Sequence, residues 1–269
     1  MKTIILLFIF STSFSWASNC VEQRNERGEL SWIHCPHKEV TLFKGTLDQR
    51  EVLWSLPQGE PPQKGWPVVI LSQGSWFPVE FSRPSGLPLG GFNEVRLIQA
   101  LLDQGFAVIA PRATLHVGWI TNMPHGEYKK RADYKVIAEV LSRVKTGFWG
   151  ELNPAALFAT GISSGGYHTS RLALSFPGQF QAIAIQSASY ATCLGPLCQM
   201  PKNIPRSHPP TLFLHGARDL TVPLYTAQQF HDLLQDRGIE TQMVINPETG
   251  HGWLEEAPEA IVGWFVRFL

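Results

Sequence analysis

The stretch AALFATGISSGGYHTSRLALS, Ala155 to Ser175, decides how the rest of the chain is read. Ala156 to Thr160 is a short apolar run of strand type, and from Gly165 to Ser175 the apolar positions recur at helical spacing. Between them lies Gly161-Ile162-Ser163-Ser164-Gly165. A turn from strand to helix this sharp has no room for side chains two before and two after its central residue, which must itself take a strained conformation. This register makes Ser163 the exposed nucleophile. Putting Ser164 at the centre would place the branched Ile162 where the turn admits no side chain.

Outward from this stretch, β-branched apolar runs alternate with helical patterns. Val68 to Leu71 is followed by a helix from Asn93 to Gln104, Ala107 to Ala110 by one from Arg131 to Lys145. Downstream come Ala182 to Ile185, Thr211 to Leu214, a helix from Tyr225 to Arg237, Thr241 to Ile245 and a last helix near Pro258 to Leu269. Such alternation predicts an α/β fold with about eight strands in a mostly parallel sheet flanked by helices. Val40 to Phe43 and Glu51 to Leu56 precede the first crossover and are expected to pair antiparallel at one edge. Two Pro-rich stretches, Trp76 to Gly91 and Cys193 to Pro210, are candidate walls of a binding crevice, because loops at the carboxyl ends of parallel strands gather around ligands.

A serine hydroxyl needs a histidine to take its proton, and the histidine needs an acid to orient it. Asp219 follows the strand Thr211 to Leu214, and His251 stands between Gly250 and Gly252 after the strand ending at Ile245. The order Ser163, Asp219, His251 is that of the α/β-hydrolase fold. His215 sits beside the acid loop and is read as its support, His168 on the helix after the serine as a packing residue. Glu248, three residues before His251 in the same loop, makes an awkward orienting acid. For the oxyanion, two backbone N–H groups are expected: that of Ser164 and that of Ser75, in Ser72-Gln73-Gly74-Ser75-Trp76 after the first parallel strand.

No dinucleotide fingerprint, phosphate loop or helical histidine pair points to a cofactor or metal. The formal charge is zero and no run of like charges occurs, which argues against nucleic acid as a partner. Lys2 followed by the apolar run Thr3 to Phe10 and small residues reads as a signal peptide over residues 1–18, cleaved after Ala17 or Ser18, too short to insert stably in a membrane. The remainder, residues 19–269, is expected to form a single catalytic domain of a secreted protein, extracellular or periplasmic. Cys20, Cys35, Cys193 and Cys198 would meet oxidising conditions there; three pairings are possible, and the shortest loops favour Cys20 with Cys35 and Cys193 with Cys198.

The sequence resembles the secreted polyhydroxyalkanoate depolymerases of the α/β-hydrolase superfamily, most closely those of medium-chain-length, poly(3-hydroxyoctanoate) type. The resemblance is carried by TGISSGGYHTSRLALSFPGQF, QSASYATCLGPLC, LFLHGARDLTVPLYTA and ETGHGWL. It implies a serine esterase acting on a hydrophobic polyester, with Ser163, Asp219 and His251 as its triad. It also implies that the catalytic domain itself supplies apolar contact with the polymer, for which Trp76, Phe77, Phe81, Leu87 and Trp253 are candidates. A secreted carboxylesterase or lipase on soluble or short-chain polyester substrates, and a non-catalytic binding protein on the same scaffold, are the alternative readings. Oligomeric state is not legible.

Overall fold

The computed structural model describes residues 18–269. Residues 1–17, which carry the expected signal segment and the Ala17 cleavage point, lie outside the described residues. Among those described, no helix is long and apolar enough to cross a membrane.

Eleven strands and six α-helices are described: β1 (Val21–Arg24), β2 (Leu30–His34), β3 (Lys38–Leu42), β4 (Arg50–Ser55), β5 (Trp66–Ser72), β6 (Ser82–Pro84), α1 (Gly91–Asp103), β7 (Ala107–Pro111), α2 (His125–Tyr128), α3 (Ala132–Lys145), β8 (Leu152–Ile162), α4 (Ser164–Ser175), β9 (Phe180–Gln186), β10 (Thr211–Gly216), α5 (Leu224–Asp236), β11 (Thr241–Asn246) and α6 (Ala257–Val266). The main sheet has eight strands in the order β11-β10-β9-β8-β5-β7-β4-β3. From β11 to β7 the pairings are parallel, and β4 and β3 close one edge antiparallel, as their place before the first crossover predicts.

Helices cover both faces, which is why every residue of β5 and β7 is buried and their sequences are apolar runs without alternation. Successive β5 side chains divide between two cores. Val68 and Ile70 pack with Val136, Val140, Leu172 and Phe230 from α3, α4 and α5. Val69 and Leu71 pack with Ile98, Leu101, Ile261 and Phe265 from α1 and α6. Buried Val136, Ile137, Val140, Leu141 and Val144 give α3 its apolar stripe at three- and four-residue spacing.

A second sheet, β1-β2-β6, was not legible in the sequence. Its β6 is three residues long and its pairing spans about fifty residues, so neither length nor periodicity announces it. The Cys20–Cys35 disulfide holds the start of this sheet against its second strand, and Cys193–Cys198 closes the other short cysteine loop.

Candidate active site

The carboxyl end of β8 runs into α4 through Ser163, whose backbone is at φ 55°, ψ −119°. That strain follows from how closely the turn passes under β5. A Cβ on Gly161 would lie 2.5 Å from the Ser72 carbonyl oxygen, and one on Gly165 would lie 2.1 Å from the same atom and 2.4 Å from the Gln73 oxygen. Any side chain at either position would force the strand ends apart. The Ser163 N–H donates to the Gln186 carbonyl at 3.0 Å, which fixes the turn against β9.

The loops after β10 and β11 bring Asp219 and His251 to this turn. Ser163 Oγ lies 3.0 Å from His251 Nε2, and His251 Nδ1 donates to Asp219 Oδ2 at 2.8 Å. Asp219 is buried, and its other oxygen accepts the N–H groups of Thr221 at 2.9 Å and Val222 at 2.8 Å. Burial by itself would raise this carboxyl. Hydrogen bonds from His215, His251 and the Val222 N–H outweigh it and hold the group well below the usual carboxylate range. The ring of His215 also reaches the Val222 carbonyl at 2.8 Å, so it braces the acid loop. The histidine loop is pinned in turn: the Gly252 carbonyl accepts from the Gln186 amide and the Ser187 hydroxyl, both at 2.8 Å, and the Trp253 N–H donates to Leu89 at 2.9 Å.

Neither the Ser164 nor the Ser75 N–H has a hydrogen-bond partner among the described residues, whereas the Trp76 N–H is taken by the Val117 carbonyl at 2.8 Å. The loop carrying Ser75 is held from behind by Gln73, a residue to which the sequence alone assigns no role. It is fully buried, accepts the Ala113 N–H at 2.9 Å and donates to the His116 carbonyl at 3.0 Å. The Ser164 hydroxyl is buried without a partner, and Gly118 passes over it.

A pocket opens beside Ser163 and His251, walled by Phe77, Leu89, Ile162 and Trp253 and closed by Arg83 and Glu94. Two side-chain donors approach Glu94 at long range: Arg83 Nη2 and Trp253 Nε1, each at 3.3 Å. Burial raises this carboxyl to about 7 against the opposing pull of Arg83, Trp253 and a backbone hydrogen bond from Glu80. A signal for it existed, since Glu94 shares the buried α1 face of Ile98 and Leu101, where a charge is out of place.

The remaining sequence candidates divide by environment. His168 is buried between Ser72 Oγ at 2.9 Å and the Tyr128 hydroxyl at 2.8 Å, with Trp119 stacked 3.8 Å away, and burial lowers it to about 3. Glu248 is exposed and pairs with Arg218, away from His251. Trp76 is 73% exposed, while Phe77 and Leu87 are half-buried. Phe81 and Trp253 are corrections to the expected contact surface. Phe81 is 0% exposed, packed 4.9 Å from the His37 ring, and Trp253 is 3% exposed because its indole is drawn inward to Glu94. Exposed Leu115, Ile120, Leu194, Leu197 and Leu220 were missed, since isolated apolar residues in loops carry no periodic signal. Among the described residues no group of three or more His, Cys, Asp or Glu could hold a metal ion.

Residues 197–267 match the prolyl oligopeptidase family. The poly(3-hydroxyoctanoate) depolymerase of Pseudomonas fluorescens is 45% identical over 252 residues, covering 93% of this chain and 91% of that protein. Among solved structures, a truncated carbohydrate esterase from gut microbiota matches with a TM-score of 0.62 at 15% identity, covering 86% of this chain and 95% of that one. The acylaminoacyl peptidase of Pyrococcus horikoshii matches with a TM-score of 0.60 at 13% identity, covering 89% of this chain but 42% of the peptidase. These structural likenesses establish the α/β-hydrolase fold.

Proposed function

The chain belongs to the poly(3-hydroxyoctanoate) depolymerase family and is a carboxylic ester hydrolase, and from that premise we propose that it cleaves a water-insoluble polyester of medium-chain-length 3-hydroxyalkanoates through an acyl-enzyme on Ser163. The observation that carries this reading is the unbroken hydrogen-bond chain from Ser163 through His251 to Asp219, at 3.0 and 2.8 Å.

In this assignment His251 Nε2 takes the proton as Ser163 Oγ attacks the ester carbonyl, and the oxyanion rests on the Ser164 and Ser75 N–H groups. The imidazolium returns the proton to the leaving alkoxide. Water, activated by the same nitrogen, then releases the hydroxy acid and frees Ser163. Asp219 stays ionised throughout and fixes the tautomer that leaves Nε2 basic. Its depressed affinity for protons suits that role.

The polymer as substrate is supported by exposed apolar side chains on loops that reach the site. Trp76 adjoins Ser75 and is tied to Val117, and Leu220 follows Asp219 directly. Leu194 and Leu197 lie in the Cys193–Cys198 loop, whose Pro196 carbonyl accepts the Tyr225 hydroxyl at 2.8 Å. The two disulfides support assignment to an oxidising compartment outside the cytoplasm, reached through the N-terminal segment.

Purified protein is expected to clear a poly(3-hydroxyoctanoate) latex and leave poly(3-hydroxybutyrate) turbid. Activity confined to soluble esters would replace the polymer reading with a carboxylesterase. Replacing Trp76 and Leu197 together with Ser should slow latex clearing about tenfold, because less apolar area is then buried against the polymer, while hydrolysis of p-nitrophenyl octanoate stays within about twofold.

A further inference from the structure

Arg171 lies on α4, eight residues beyond Ser163, and is 1% exposed. Its Nη2 donates to the carbonyl oxygens of Thr121 at 2.8 Å and Met123 at 2.7 Å. Its guanidinium carbon sits 5.5 Å from the Tyr128 ring centre and 5.6 Å from that of Tyr190. Its Nε is buried without a partner, and no carboxylate among the described residues pairs with it. A buried cation is normally matched by an anion, because carbonyls and ring faces recover only part of its lost hydration.

Arg171 faces a pocket of about 460 Å³ whose wall includes Met123, His125, Tyr190, Met200 and Lys202. That is room for a small organic ligand. Among the described residues no acidic side chain lines it. Burial and the nearby charges of Lys129 and Arg171 all act to keep the His125 ring unprotonated, which marks the space as electropositive. His125 Nδ1 is buried without a partner, and the Tyr190 hydroxyl makes no hydrogen bond among the described residues. The only acid on the adjoining short helix, Glu127, is exposed and engaged by Lys130 at 2.8 Å.

We propose that this pocket, separate from the catalytic crevice, binds an amphiphilic monocarboxylate, with the carboxylate against Arg171 and the Tyr190 hydroxyl and the alkyl chain along Met123 and Met200. This rests on the ester-hydrolase reading, which makes such an acid the product of every turnover. The apolar thioethers and the single buried cation fit a carboxylate with a hydrocarbon tail better than a multiply charged, strongly hydrated phosphate. The acid bound here is a second copy of product, held about two helical turns along α4 from the attacking serine, in a pocket that shares no lining residue with the catalytic crevice.

The test is calorimetric titration of sodium octanoate into the full protein after Ser163 has been capped with an alkyl phosphonate that fills the catalytic crevice. One octanoate should bind per chain with the cap in place, and 1-octanol, of equal length without charge, should not. Arg171 variants risk misfolding, so Tyr190→Phe, which keeps the ring, is the deciding variant. It should weaken octanoate about tenfold, the loss expected for one hydrogen bond to a charged group, with an unchanged unfolding midpoint. Loss of binding on capping, equal binding of octanol, preference for inorganic phosphate, or a Tyr190→Phe protein that binds octanoate as before would each overturn the proposal. Failure of the hydrolase reading would show separately, as ester turnover that survives Ser163→Ala.

Discussion

Two buried carboxyl groups border the site, one bonded to His251 and one across the pocket from it, and their proton affinities are shifted in opposite directions. Asp219, in the loop after β10, accepts two backbone N–H groups at 2.8 and 2.9 Å and the His251 ring at 2.8 Å, and its carboxyl is held well below the ordinary range. Glu94, on α1 across the pocket, has its side-chain donors at 3.3 Å, and burial carries it to about 7. Burial pushes both upward. What separates them is how far burial is offset: Asp219 is less deeply desolvated and takes short bonds from imidazole and backbone N–H groups, whereas Glu94 is fully desolvated and is met by Arg83, Trp253 and the Glu80 backbone too weakly to cancel it. One wall of the site therefore keeps a permanent anion to orient a base, and the other keeps an acid that changes charge near neutrality.

The largest effect that tests this contrast is on turnover. Ser163→Ala should lower kcat on soluble esters about 10⁶-fold, and Asp219→Asn about 10⁴-fold, since the amide favours the wrong histidine tautomer. Glu94→Gln should keep activity within about tenfold, because Glu94 touches Trp253 rather than the reacting atoms. A Glu94→Gln enzyme as dead as Asp219→Asn would erase the distinction between the two walls.

Stability should follow pH with opposite signs for the two groups. Glu94 binds its proton more tightly in the folded chain than in the unfolded one. Its contribution is therefore full below its ordinary value of 4.5 and lost as pH rises to about 7, a change on the order of 3 kcal/mol. Asp219 binds its proton less tightly when folded, so its contribution is present above about pH 4 and fades as pH falls further. Urea unfolding at pH 5 and pH 8 should show wild type losing stability across this interval and Glu94→Gln losing much less. Parallel behaviour of the two proteins would place the pH dependence elsewhere.

The smallest effect belongs to Ser164→Ala. The hydroxyl is buried without a partner and only the backbone N–H faces the crevice in our assignment, so kcat should change by less than about threefold. A hundredfold loss would show that the side chain contributes to the reaction.

Much of the fold was legible because the parallel strands are apolar on both faces and the helices carry stripes at helical spacing. These are local signals, readable at Val68 to Leu71 or Val136 to Val144 without knowing what lies opposite. The side sheet was not, because β6 gains strand character only from pairing with β2. Phe81 and Leu197 illustrate the same limit for the surface. Both are large apolar residues in irregular Pro-rich segments, yet one is fully buried and the other 74% exposed, a difference set by what packs over each.

By itself the sequence determined the turn at Ser163, since two glycines spaced about one serine answer a steric demand of the local backbone, and it determined the order in which Asp219 and His251 follow. Only the tertiary structure decided which groups are desolvated together. Among the described residues it put Glu94 and Trp253 in one wall, left the Ser75 N–H without a partner while engaging that of Trp76, and buried Arg171 beside a pocket lined by no acid. Protonation states and hydrogen-bond geometry arise from the sum of distant segments brought within a few ångströms, and such sums are not written in any one stretch of chain.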